Sequence, residues 1–255
     1  MRLEITALPD LPEVRAGDDL PSLLKAGLSA AGITLQAGDA LALAQKIVSK
    51  AEGRMVDLAD VTPSARAVAL AAQCQKDPRV VELVLQESRQ VLRVVPGVLI
   101  VEDRNGYIMA NAGIDASNVA GSEERVLLLP ENPDLSARRL SESLGVAIVI
   151  NDSFGRAWRS GTVGTAIGVA GMPGLLDLRG RPDRLGRPLQ TSDLGYADEV
   201  AAAASLMMGQ AGEGRPAVHL RGLPGLSTAY GDAAHPFPFG TAADLVRPAQ
   251  MDLFR

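Results

Sequence analysis

Four short stretches carry the residues whose types and spacing could do chemistry. The first is Asn151-Asp152-Ser153, which follows the unbroken β-branched and apolar run Val146 to Ile150. Such a run reads as a strand buried on both faces, so it sets a carboxylate and a hydroxyl at the mouth of a core strand. Phe154-Gly155-Arg156 then turns the chain and brings Arg156 and Arg159 near Asp152, and glycines follow at Gly161, Gly164, Gly168, Gly171 and Gly174. A carboxylate, a hydroxyl, two guanidiniums and a glycine-rich return suit a metal ion held beside a phosphorylated anion. The same residues also suit a plainer role, with Asp152 capping a turn and both arginines solvated.

The second stretch, Asn111 to Asn118, sets amide, glycine, carboxylate, hydroxyl and amide close together. It has too few carboxylates at alternate positions for a calcium loop. It suits one metal ligand, Asp115, and one hydrogen-bond partner for a nucleotide, Asn118. The third is Ser49-Lys50, delivered by an apolar run from Ala40 to Val48 that reads as a strand or strand–turn. Lys50 fits a snorkelling surface lysine and equally a phosphate-facing one. The fourth is the glycine-rich loop from Gly209 to Gly214. It lies between an Ala-rich helix starting at Asp198 and a strand from Ala217 to Leu220.

The elements that must position these groups follow from periodicity and turn chemistry. A strand is expected from Leu3 to Ala7 and a helix through Ala31, capped by Asp18 or Asp19. Helices are expected over Pro63–Gln75, Pro78–Ser88 and Ser136–Leu144, the last capped by Asp134 or Ser136. Strands fit Val91–Val95, Val98–Glu102, Tyr107–Ala110 and Leu127–Pro130, with turns at Pro96-Gly97 and Asn105-Gly106. From Pro224 to Arg255 the chain reads as an irregular arm. No tandem repeat or linker divides it, so residues 1–255 are expected to form one compact unit with two lobes.

Composition narrows the class. The 255 residues are 47% hydrophobic and 22% charged, ordinary for a globular protein. Aromatics at 3% leave no stacking platform for single-stranded nucleic acid, and a net charge of −5 argues against nucleic-acid or anionic-membrane surfaces. The single Cys74 fits a reducing cytoplasm, and no run is long enough for a membrane span. P-loop, dinucleotide-fold, zincin and serine-elbow motifs are all missing. The remaining inventory of carboxylates, lysine, arginines and glycine-rich loops suits metal-assisted phosphoryl transfer. A two-metal phosphohydrolase and a non-catalytic nucleotide-binding regulator draw on the same inventory.

Taken together, KIVSKAEGR, ANAGIDASN, NDSFGRAWRSG with AIGVAG, LLDLRGRPDRLGRPLQ and ADEVAAAASLMMGQ resemble the coenzyme F420 γ-glutamyl ligases. The resemblance runs from about Leu3 to Gly222 in the family's motif order. It implies an α+β fold particular to that family, with two interleaved lobes and an intertwined homodimer, in the stand-alone form. It also implies GTP-dependent attachment of L-glutamate to the deazaflavin precursor F420-0 through an acyl phosphate, with two Mg2+ or Mn2+ ions and a stimulatory K+. By position, Leu11, Pro12, Glu13, Val14, Gln45, Lys50, Asn118 and the loop Met208, Gly209, Gln210, Ala211, Gly212, Glu213, Gly214 and Arg215 correspond to GTP contacts. Asp115 and Asp152 correspond to ligands of the first metal, and Ser153 and Gln210 to those of the second. Lys50 and Arg156, with the two aspartates, are the implied catalytic groups.

Overall fold

The computed structural model describes residues 2–115, 124–156, 158–226 and 240–246. Its centre is a five-stranded sheet built from β1 (Glu4–Ala7), β12 (Ala217–Arg221), β2 (Ala40–Ala44), β8 (Ala147–Arg156) and β9 (Arg159–Ala170), in that spatial order. β2 and β8 run parallel, and every other neighbouring pair in this sheet runs antiparallel. Leu41, Leu43, Ile148 and Ile150 have no solvent exposure, as continuous apolar runs in a sheet covered on both faces require.

Helix α1 (Leu20–Ala30) is capped by Asp19, whose carboxylate accepts the Ser22 amide. Helix α2 (Gln45–Ala51) leaves β2 with no intervening loop. The expected strand from Ala40 to Val48 therefore ends at Ala44, and Lys50 sits on a helix. Helix α5 (Pro133–Leu144) is capped by Asn132 rather than Asp134 or Ser136. Pro at its first position fits because that backbone nitrogen has no helical acceptor to lose. Helix α6 (Tyr196–Met208) starts two residues before Asp198 and ends at Gly209.

Within residues 55–115 and 124–128 two smaller apolar clusters form, while Tyr107 and Met109 belong to the main core. β3 (Met55–Asp57) pairs with β7 (Arg125–Leu127), which starts two residues before the expected Leu127–Pro130 strand and shares only Leu127 with it. The helices α3 (Ala65–Cys74) and α4 (Pro78–Gln86) pack on the sheet of β4 (Ser88–Val95), β5 (Val98–Asp103) and β6 (Ile108–Ala110). Cys74 is buried within that apolar cluster. A two-stranded ladder of β10 (Leu176–Asp177) and β11 (Asp193–Leu194) flanks the loop containing Arg181 to Arg187. The arrangement is α+β. Among the described residues, no helix is long and apolar enough to cross a membrane.

The largest departure from expectation lies in β8. Asp152 does not end a strand. The strand runs on through Phe154 and Gly155, which pair with Val163 and Thr162, and the hairpin turns only beyond Arg156, opposite Arg159. Parallel pairing with β2 stops at Asn151, so Asp152 stands where β8 outruns its neighbour. A bulge interrupts the β8–β9 ladder between Ile150 and Asn151. Gly164 on one side of it faces α6, where a Cβ would stand 2.6 Å from the Ala201 carbonyl oxygen. Gly168 on the other side faces α5, with Pro133 O at 2.4 Å from such a Cβ. These glycines are places where helix backbone approaches strand backbone. They do not form a phosphate loop.

Candidate active site

A cavity of about 310 Å³ opens where the parallel pair ends, the size range of small-molecule sites. The loop Leu11 to Val14 forms one wall, and Gln45, Lys46, Ile47 and Lys50 of α2 form another. Asn151, Asp152 and Ser153 form the floor, and the chain leaving α6 closes the rim. Stretches far apart in sequence thus meet as expected for Leu11, Pro12, Glu13, Val14, Gln45, Lys50, Asp152 and Ser153. Met208, Gly209, Gln210, Ala211, Gly212, Gly214 and Arg215 line the same cavity.

Two expected residues stand apart from it. Arg156 is exposed near the hairpin tip, four strand residues or about 13 Å from Asp152, and does not line the cavity. The reason is the unturned strand, which carries Arg156 away where a turn at Phe154 would have folded it back. Glu213 bends inward to accept the Ala211 amide at 2.8 Å and is likewise not a wall residue. Asn118 lies outside the described residues.

Asp115 joins the site through a residue that sequence reasoning missed. Lys46 Nζ lies 2.6 Å from Asp115 Oδ2, and both side chains are about three-quarters buried. One helical turn later, Lys50 Nζ lies 2.5 Å from Glu13 Oε1. Lys50 is 8% exposed, so it is no surface lysine. Residues four apart share a helix face, and α2 turns both ammoniums toward the cavity. That spacing was the available signal once the helix was known.

Burial is the main cause that lifts the Asp152 carboxyl to about 6, and the charge of Asp115 adds to it. The Ser153 amide, donating to Asp152 Oδ1 at 2.8 Å, and the Lys46 ammonium oppose the shift. Ser153 Oγ donates to Gln210 Oε1 at 2.8 Å, which places a hydroxyl and an amide beside the carboxylates. This all-oxygen donor set is the kind that Mg2+ and Mn2+ prefer. Among the described residues no three His, Cys, Asp or Glu side chains form a metal cluster.

Asn151 was also missed as a wall residue. It is 5% exposed, its Nδ2 donates to Met208 Sδ at 3.4 Å, and its Oδ1 is buried without a hydrogen-bond partner. It ties β8 to the last residue of α6, and so to the start of the glycine-rich loop.

Residues 10–222 match the family model described as F420-0:Gamma-glutamyl ligase. The chain belongs to that family. It is 41% identical to the coenzyme F420:L-glutamate ligase of Methanothermobacter thermautotrophicus over 261 aligned positions, covering 100% of both chains. Identity to the enzyme of the same name from Methanopyrus kandleri is 43%, over 99% of this chain and 98% of the relative. The Natronomonas pharaonis enzyme is 45% identical over 86% of each. For this F420-0:γ-glutamyl ligase family member, the cavity at the end of the β2–β8 pair is the candidate active site.

Proposed function

We propose that this chain is a GTP-dependent ligase that joins L-glutamate to the lactyl carboxylate of F420-0. The observation that carries the reading is the gathering of Asp152, Ser153, Gln210, Lys46 and Lys50 around one cavity, in a chain of this family. The phosphoryl group of GTP passes to an oxygen of the acceptor carboxylate and GDP leaves, giving an acyl phosphate. The glutamate amine then attacks the acyl carbon, the C–O bond to phosphate breaks, phosphate departs with that electron pair, and the amine loses a proton to solvent. No protein nucleophile enters this sequence.

Asp115 and Asp152 would hold a first divalent ion, and Ser153 and Gln210 would serve a second. Such ions, when bound, neutralise charge on the β- and γ-phosphates. Lys50 presents an ammonium where the phosphates would lie, and the loop Gly209 to Arg215 offers backbone amides at the rim. The first residue of α2 is oriented from within: Ser49 Oγ donates to Gln45 Oε1 at 2.8 Å.

The test is to incubate the protein with F420-0, L-glutamate, GTP and Mn2+, then follow product mass and GDP release. A product heavier by one glutamyl residue, with GDP release dependent on F420-0, is expected. GDP release unaffected by F420-0 and glutamate would turn the reading to a phosphohydrolase. Equal turnover with ATP would overturn the guanine assignment alone, and absence of any turnover would favour a nucleotide-binding regulator.

A further inference from the structure

Lys46 holds the same carboxylate that the proposed function gives to a metal ion. Its Nζ contacts Asp115 Oδ2 at 2.6 Å, it lines the cavity, and its charge also acts on Asp152. A divalent ion on Asp115 competes with the ammonium for Oδ2. The two cations repel at contact distance, so entry of the metal moves Lys46 off the carboxylate. With 29% of its side chain exposed, the displaced lysine stays close to the cavity and is poorly hydrated there without a new anion. Of the other carboxylates in the cavity wall, Asp152 would serve the same metal ion and Glu13 is already paired with Lys50. A nucleotide phosphate in the cavity meets that need.

We propose that Lys46 is a displaceable counter-ion, holding Asp115 until a divalent cation replaces it and then pairing with nucleotide phosphate. This rests on the metal and nucleotide reading above. It has two consequences. Metal alone binds more weakly than the carboxylates would allow, because it must break an ion pair. Metal and nucleotide bind cooperatively, and each raises the other's affinity by the same factor.

Mn2+ is titrated into wild-type protein and into Lys46→Met, with and without GDP, and free Mn2+ is read by electron paramagnetic resonance. Methionine keeps the aliphatic stem and removes the charge. Without GDP, Lys46→Met is expected to bind Mn2+ about tenfold more tightly than wild type, and the gain on adding GDP to shrink. Unchanged or weaker Mn2+ binding by a folded Lys46→Met would overturn the counter-ion role. Should that variant not fold, the Lys46 side-chain NMR signal in the wild-type protein, assigned through Lys46→Arg, serves instead. It must shift on Mg2+ saturation, and a stationary signal overturns the role. Asp152→Asn separates the two levels of inference. Mn2+ binding weakened by that change, with no gain in Lys46→Met, sinks the counter-ion alone, whereas Mn2+ binding indifferent to Asp152 sinks the metal site itself.

Discussion

Ser153 on β8 and Gln210 beyond α6 are joined by one hydrogen bond, from the serine hydroxyl to the amide oxygen, at 2.8 Å. The loop from Gln210 to Arg215 is otherwise exposed, so this bond fixes its first residue against the cavity floor. Ser153→Ala removes both the bond and an oxygen donor. The Mn2+ concentration for half-maximal ligation should rise about tenfold, the equivalent of 1.4 kcal/mol. Ser153→Asp supplies a carboxylate at the same place and should lower it. Identical Mn2+ dependence in all three proteins would remove Ser153 from the metal site.

Asp152→Asn should abolish ligation yet leave the metal-free fold more stable at neutral pH. The folded carboxyl titrates near 6, above the usual range for Asp, because burial and Asp115 disfavour its charge. The folded state therefore binds the proton more tightly than the unfolded state, and ionisation erodes stability as pH rises from about 4 to 6. The asparagine variant escapes that loss, by on the order of 1 kcal/mol given contact with cavity water. Melting curves at pH 4 and pH 7.5 test this, with the gain expected only at the higher pH.

Lys50→Ala should cut efficiency toward GTP by about ten- to a hundredfold, since a charge-assisted bond is worth roughly 1.5–3 kcal/mol. The affinity for glutamate should change far less. Because Lys50 is buried against Glu13, a modest drop in melting temperature should accompany the loss. Steady-state kinetics with each substrate varied in turn is the measurement.

Gly164→Ala should destabilise the protein by about 1–3 kcal/mol, the usual range for forcing a methyl into a packed contact. The new Cβ would meet Ala201 O at 2.6 Å, Ser205 Cβ at 2.7 Å and Asn151 Oδ1 at 2.8 Å. Gly155→Ala on the opposing strand meets nothing within 4 Å and serves as the near-neutral control. Urea midpoints compare the two.

Asp39→Asn tests a buried cluster away from the cavity. Asp39 receives Arg221 Nη2 at 2.6 Å and lies 2.9 Å from His219 Nε2. Burial pushes its carboxyl up, but the bonds from Arg221, His219 and the Gln36 amide hold it below the ordinary value. A depressed carboxyl contributes stability above its unfolded pKa of about 4, and that contribution disappears as pH falls through the folded value. The variant should lose about 2–3 kcal/mol at pH 7 and much less at pH 3, read from pH-dependent melting.

Elements were legible where local chemistry decides them, as at Asp19, Pro78 and the Pro96-Gly97 turn. The site's membership was legible through Asp152, Ser153 and the glycine-rich loop. The extension of β8 was not, because Asn151-Asp152-Ser153 has turn-forming composition and only its pairing with β9 keeps it extended. Lys46 was hidden by a strand-to-helix junction inside one apolar run, where a few residues of sequence cannot separate a period of 2 from 3.6. The cap of α5 could have been found, since Asn132 followed by Pro133 is a helix-start signature. Arg156 was misplaced by the same error that ended β8 too early.

The pairing of β1 with β12, with Glu4 opposite Arg221, has a consequence for the time order of folding. During synthesis β1 emerges well before its neighbour, with β2, β8 and β9 of the same sheet made between them. The β8–β9 hairpin can close locally, and β2 can join it once β8 is made, but β1 waits unpaired until translation passes residue 221. So high a contact order slows the final step and leaves an open strand edge until then. The same late strand follows directly on the cavity's rim loop, so the central sheet and the candidate site reach completion together.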